Sequence, residues 1–327
     1  MRFERLLLVL AMMASLAFVA AACGDDDDDS GSSSSGSESS SSQEDLSGSI
    51  RIDGSSTVFP FAQAAAELFN EDQPNVKITV GESGTGGGFE KFCAGETDIS
   101  DASRPIDDKD EVPVCKKNGV GYGEVQIAND GIAIVTNKDT TIECMTVEQL
   151  KKLWEPKSKV SNYSEIDPSF PDMKTALFGP DTDSGTFDFF TDQINGEEGA
   201  QREDYEASAD DNQLVTGVSG TSGGLGYFGF SYYEQNTDKL NLVQVDDGSG
   251  CVAPSAETIQ DGSYKPLSRP LFMYPSKKAL QKPEVKAFID FVMKNQQAIA
   301  EAAQIVPMTE QQLSEAQSNL QTLEGGA

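Results

Sequence analysis

The chain has 327 residues, enough for two ordinary domains or one large one, and a formal net charge of −30. That charge excludes a nucleic-acid partner, because binding a polyanion needs a basic face. The absence of histidine excludes Ser-His-Asp and Cys-His catalysis and every zinc or haem site built on imidazole.

The N-terminal run "MRFERLLLVLAMMASLAFVAAACG" has a short charged start, an apolar core and small residues leading to Cys23. It reads as a secretory signal over residues 1–22 rather than a spanning helix, because small residues and a cysteine end it. The stretch before Cys23 resembles a bacterial lipoprotein cleavage box, although Ala20 stands where a larger aliphatic is usual. Cys23 is therefore the expected lipidation site, and two or more acyl chains there would anchor the protein stably to a membrane. Residues 23–45 are acidic and serine-rich, cannot bury apolar surface, and read as a disordered tether. Residues 1–45 hold nine acids and two bases, so the rest keeps a net charge of −23. Such a field repels anions at long range, and an anion site would have to work through close local donors.

From Leu46 onward β-rich and helical runs alternate. "SIRIDG" (49–54) predicts a strand, "FAQAAAELFNED" (61–72) an amphipathic helix, "NVKITVGE" (75–82) a second strand and "GGFEKFCAG" (87–95) a short helix. "VQIANDGIAIVTN" (125–137) predicts two strands around a turn. "TVEQLKKLW" (146–154) opens with Thr146 and Gln149 in capping-box spacing. "KTALFG" (174–179), "GLGYFGFSYY" (224–233) and "KLNLVQV" (239–245) continue the strands, with a helix expected in "FDFFTDQI" between the first two. Helices are expected at 284–295 and 309–323. This alternation argues for an α/β fold with a largely parallel sheet in each of two lobes.

Four cysteines remain after Cys23: Cys93, Cys115, Cys144 and Cys251. In an oxidising compartment they predict two disulfides, with three connectivities open. Cys93–Cys115 with Cys144–Cys251 is favoured, because the first pair closes a local loop. No Cys-X-X-Cys occurs to suggest redox activity.

Ligands of such folds sit at the carboxyl ends of strands and at helix N-termini. Three turns have that placement: Ser55, Ser56 and Thr57 in "DGSSTVFP"; Thr85 among glycines in "GESGTGGGFEKF"; and Ser184, Gly185 and Thr186 in "GPDTDSGTFDFF". Each alone is equally read as a helix cap or a flexible turn. Together they offer neutral N–H and O–H donors that suit a small oxyanion. Calcium is the opposite reading of the third turn. An EF-hand starting at Asp181 needs glycine sixth and glutamate twelfth, and those places hold Thr186 and Asp192.

"GSSTVFP", "SGTGGGFEKFCAGETDISDASRPI", "TDSGTFDFF", "GGLGYFGF" and "SRPLFMY", in this order, resemble the phosphate-binding lipoproteins of bacterial phosphate ABC transporters. The resemblance spans about residues 48–300. It implies a two-lobed periplasmic-binding-protein type II clamp, with two mixed sheets flanked by helices and joined by two hinge crossovers. Lobe one would be residues 46–130 with 262–327, and lobe two 131–261. Phosphate would bind through Ser56, Thr57, the amides of Val58 and Phe59, Thr85, and Ser184, Gly185 and Thr186. Asp101 would accept the proton of the bound phosphate. Members of the family carry an arginine four residues before Ser-Gly-Thr, where this chain has Pro180. Arg104 is the expected replacement, the alternative being an ion pair with Asp101 or another nearby carboxylate.

Asp101 has its own logic. A carboxylate beside an oxyanion is tolerated only when the ligand brings a proton to share, as phosphate does and sulfate does not. The expected function is extracytoplasmic capture of inorganic phosphate and delivery to an ABC permease by a lipid-anchored monomer, with no cofactor, no metal and no chemistry on the ligand. The alternatives are a binder of sulfate or molybdate, a secreted phosphatase using Ser184, and a calcium-binding surface protein. The phosphatase reading lacks a nameable base, since no histidine exists and no lysine adjoins Ser184.

Overall fold

The computed structural model describes residues 45–182 and 184–325. The signal, Cys23 and all but the last residue of the tether lie outside this range.

In the first part of the chain, β1 (Gly48–Gly54), β2 (Val76–Glu82) and β3 (Ile99–Ala102) alternate with α1 (Phe59–Asp72), α2 (Gly84–Cys93) and α3 (Glu111–Lys117). β1 lies parallel between β2 and β3. Pro60 in the first turn starts α1, and Phe61, Ala62, Ala65, Ala66 and Phe69 form its buried stripe at helical spacing. Then come β4 (Val125–Asn137), β5 (Cys144–Thr146), α4 (Val147–Trp154), β6 (Ala176–Gly179), α5 (Gly185–Phe190), β7 (Glu206–Ala207) and α6 (Asp211–Gly220). β8 (Gly224–Gly229), α7 (Phe230–Glu234), β9 (Leu240–Asp246), β10 (Cys251–Val252) and α8 (Ala256–Gln260) follow. The chain closes with β11 (Ser268–Pro275), α9 (Pro283–Ala302) and α10 (Glu310–Gly325). No helix among the described residues is long and apolar enough to cross a membrane.

The strand order β2-β1-β3-β11-β4-β8-β6-β7, with β5, β9 and β10 attached beside β4, makes one mixed sheet path rather than two parallel sheets. β11 runs antiparallel to both β3 and β4, and β4 antiparallel to β8 and β9. The reason is visible in β4. The sequence suggests a turn at Asn129-Asp130-Gly131, but the strand runs unbroken for 13 residues. Residues 125–131 pair with β11, and residues 132–137 with β8 and β9. Its turn-like residues serve packing instead. The Asn129 side chain donates to Pro307 O, and Asp130 pairs with Arg269. A Cβ on Gly131 would lie 2.4 Å from Ile259 Cδ1.

Three apolar clusters fill the body. Ile50, Ile52, Phe69, Phe288 and Val292 belong to the first, drawn from residues before 129 and after 270. Trp154, Phe190, Tyr227 and Val243 belong to the second, which extends from Ile132 to Ile259 and adds Tyr264, Leu267 and Val306. The chain passes between these two cores at Asp130–Gly131 and again at Leu267–Ser268, where Ile132 N donates to Leu267 O. A third cluster holds Phe89, Phe92, Tyr274 and the buried cystine Cys93–Cys115. Cys144 is bonded to Cys251 and ties β5 to β10 at the end of β9.

The Thr146 capping box forms as its spacing suggests: Gln149 N donates to Thr146 Oγ1, and Thr146 N to Gln149 Oε1. Two expected elements are shorter than their apolar runs. β8 stops at Gly229, where Phe230–Glu234 turns helical. The helix after Ser184 passes from α form into a π turn at Thr191–Asn195, ended by Gly196 with φ 83°.

Candidate functional site

The first turn, Ser55–Val58, links β1 to α1. Ser55 N donates to Asp101 O at 3.0 Å, which fastens this turn to the end of β3. No side chain caps α1. The amides of Val58 and Phe59 both donate to Ser55 O, at 3.1 and 3.0 Å. Thr57 Oγ1 instead accepts from Arg269 Nη2 at 2.7 Å.

The third turn packs directly on the first. Ser184 caps α5 by accepting from Thr186 N at 3.2 Å. Gly185 is required by contact: a Cβ there would lie 2.3 Å from Thr57 Oγ1 and 2.6 Å from Ser56 Oγ. Ser56, Thr57, Phe59, Ser184, Gly185 and Thr186 therefore line one cavity of about 250 Å³. Glu82, Asp130, Asp181 and Asp211 share its walls. Val58 is buried and, with Thr85, Asp101 and Arg104, stands outside this lining.

The second turn is the first turn of α2 rather than a loop. Thr85 Oγ1 is 3.0 Å from Ser103 Oγ and accepts from Ser103 N at 3.2 Å. This holds Thr85 of α2 against Ser103, just beyond the end of β3, the strand that carries Asp101. Asp101 is 0% exposed, and neither of its carboxylate oxygens has a hydrogen-bond partner among the described residues. Burial first, and the charge of Asp53 second, push its carboxyl well above the usual range. Asp53 is raised by burial, but hydrogen bonds from Lys91 and Ser83 outweigh that and hold it below its ordinary value.

The sequence assigns the positive partner to Arg104; the structure gives that residue other work. Its guanidinium is bidentate to Glu111, at 2.9 and 2.8 Å, and its side chain is 46% exposed. The arginine among the site turns is Arg269 on β11, with a side chain only 13% exposed. Nε donates to Asp130 Oδ2 at 3.2 Å, and Nη2 to Thr57 Oγ1 and to Gly185 O at 3.2 Å. Its Cζ stands 3.8 Å from the centroid of Phe189. Burial lowers its pKa against the opposing pull of Asp130, Asp188 and Asp192. An arginine remains a cation through such a shift. Arg269 lies within "SRPLFMY", where the sequence alone assigns it no role. The signal was an arginine at the start of an otherwise apolar strand.

The arrangement offers hydroxyls, amides and one buried cation around a small cavity, with an unpartnered carboxylate close by. That set can recognise an oxyanion. Among the described residues no group of His, Cys, Asp or Glu is placed to hold a metal ion.

Residues 39–296 match a family described as the PBP superfamily domain. Protein SphX of Synechocystis sp. is 45% identical over 81% of this chain and 80% of its own length. Phosphate-binding protein PstS of Staphylococcus saprophyticus is 40% identical over 85% of this chain and 86% of its own. Among solved structures, a possible phosphate binding protein from Planctomyces limnophilus matches with a TM-score of 0.80 and 47% identity. The match covers 85% of this chain and 99% of that one.

Proposed function

The chain belongs to the PBP superfamily and, within it, to the phosphate-binding proteins, and on that premise we propose that it captures inorganic phosphate and delivers it to an ABC permease. It is a receptor, not an enzyme. The observation that carries the site assignment is Arg269, whose guanidinium joins Thr57 of the first turn to Gly185 of the third. Phosphate binds in the cavity these turns share, through the hydroxyls of Ser56, Thr57, Ser184 and Thr186 and the amides about Gly185. Arg269 supplies the positive charge that Pro180 cannot. Thr85 and Asp101 approach from the second turn and β3, and Asp101 accepts the ligand's proton.

Recognition by close donors around one cation suits this protein, because the net charge of −23 on the residues after 45 repels anions until they reach the cavity. The chain acts outside the cytoplasm, held at the membrane by lipid on Cys23, as a monomer. With the second boundary moved from 262 to the crossing at Leu267–Ser268, residues 46–130 with 268–327 form one lobe and 131–267 the other, and closure buries the ion and changes the surface offered to the permease. Calorimetric titration of the protein with phosphate and with sulfate tests this reading. Phosphate alone should give saturable heat. Equal binding of both anions would leave a generic oxyanion site, and no phosphate heat would end the proposal.

A further inference from the structure

Asp211 begins α6 and lines the same cavity as the Ser56–Thr57 and Ser184–Thr186 donors. Its carboxylate oxygen Oδ2 lies against Gly229, 3.8 Å from where a Cβ on that glycine would stand, and the Gly229 backbone hydrogen-bonds it. A carboxylate lining a cavity of about 250 Å³ shares it with any anion captured there, and like charges so confined repel unless one is neutralised. We propose that Asp211 takes up a proton when phosphate enters, so that capture is proton-coupled and tightest on the acidic side of neutral pH. This rests on the phosphate reading above.

Two neighbouring carboxylates bear on Asp211 directly. Asp210 precedes it on its own helix, and Asp130 of β4 faces it. Glu82 at the end of β2 and Asp181 ahead of α5 complete the acidic wall, and Tyr232 of α7 stands beside it. Arg269 is engaged with Asp130. Of the other elements packed on α6, β6 carries no titratable side chain, β8 carries Tyr227, β9 carries Asp246, and α7 adds Tyr233 and Glu234. Burial first, then Asp210 and Asp130, push Asp211 up to about 7, against the Gly229 hydrogen bond. It is therefore poised near half protonation at neutral pH before any anion arrives. An entering anion raises it further, which binds up to about half a proton per phosphate at pH 7.

The test is calorimetry of the full-length protein with inorganic phosphate at pH 7.5, in two buffers of different ionisation enthalpy. The difference between buffers counts the protons taken up. Phosphate's own proton inventory is common to all variants, so Asp211→Asn should lower the count by several tenths of a proton. The same variant should bind phosphate at least as tightly as wild type at pH 8. Glu71→Gln, which removes an equal charge at an exposed position outside the cavity lining, should leave the count unchanged. An unchanged count in Asp211→Asn, or equal losses in both variants, would overturn the inference while phosphate binding stands. Absence of phosphate heat in the wild type would instead overturn the function itself.

Discussion

Arg269 and Asp130 are register partners on β11 and β4, and their side chains meet at 3.2 Å where the chain passes from one core to the other. The same guanidinium reaches Thr57 and Gly185. One ion pair thus occupies both the crossover and the edge of the candidate anion cavity.

Arg269→Ala should weaken phosphate by roughly 10–150-fold, the equivalent of about 1.5–3 kcal/mol for a lost charge-assisted hydrogen bond. It also leaves Asp130 unpaired beside the anion, so the loss should sit at the upper end. Arg104→Ala breaks only a half-exposed pair with Glu111 and should change affinity less than about threefold, since such pairs contribute 0–1 kcal/mol. Equal losses in the two variants, measured by titration, would return the role to Arg104.

Asp101→Asn should lower the phosphate-to-sulfate affinity ratio at least tenfold, about 1.4 kcal/mol of discrimination. Asparagine keeps the shape, still accepts through its oxygen, and adds an N–H that sulfate can use. In the wild type the preference should grow as pH rises. Burial holds Asp101 protonated to higher pH than an ordinary aspartate, and the protonated form tolerates sulfate. A ratio untouched by the substitution would make Asp101 a structural residue only.

Stability of the ligand-free protein should fall as pH rises from about 4 to about 7. Burial raises Asp188 to about 6 and Asp211 to about 7, above the ordinary aspartate range. In that window the folded state binds more protons than the unfolded one, so each deprotonation favours unfolding. Asp53, whose pKa is lowered, acts below the window and with the opposite sign. Thermal melts at pH 5 and pH 8 should show the lower midpoint at pH 8. Asp211→Asn should recover at least about 2 °C there, near 1 kcal/mol for a chain of this size. A midpoint that climbs between pH 5 and 8 would contradict the assignment.

Reduction should proceed in two steps. Cys251 is exposed, whereas Cys93 and Cys115 are buried in the third cluster. Alkylation after mild reductant should label Cys144 and Cys251 first, and full reduction should cost roughly 3–5 kcal/mol per bridge in the chain-entropy model. Phosphate binding should survive the first step, because neither cysteine of that pair lines the cavity. Labelling of Cys93 ahead of Cys251 would refute this order.

Local signals in the sequence carried well where one interaction decided the outcome. Thr146 and Gln149 cap α4 because both partners lie within four residues. Gly185 and its neighbours could be assigned to a donor turn because a strand and a helix flank them. Asn129-Asp130-Gly131 misled, since each residue answers to a distant partner: Pro307, Arg269 and Ile259. Arg269 could not be assigned from spacing, because it lies 212 residues from Thr57 and 84 from Gly185. Only the sheet order, with β11 inserted between β3 and β4, brings it to the cavity.

β4, at 13 residues, spans about 43 Å at strand rise, and its two ends are cemented into different cores. Such a strand behaves as a torsion bar. Any rotation of one half against the other must be absorbed as twist around Asp130 and Gly131, where the ladder changes partners from β11 to β8. The same continuity forbids dividing the molecule. Excising residues 131–261 would cut β4 where the ladder changes partners and take Tyr264, Leu267 and Val306 from the second core, so the excised segment should melt below the whole protein when expressed alone.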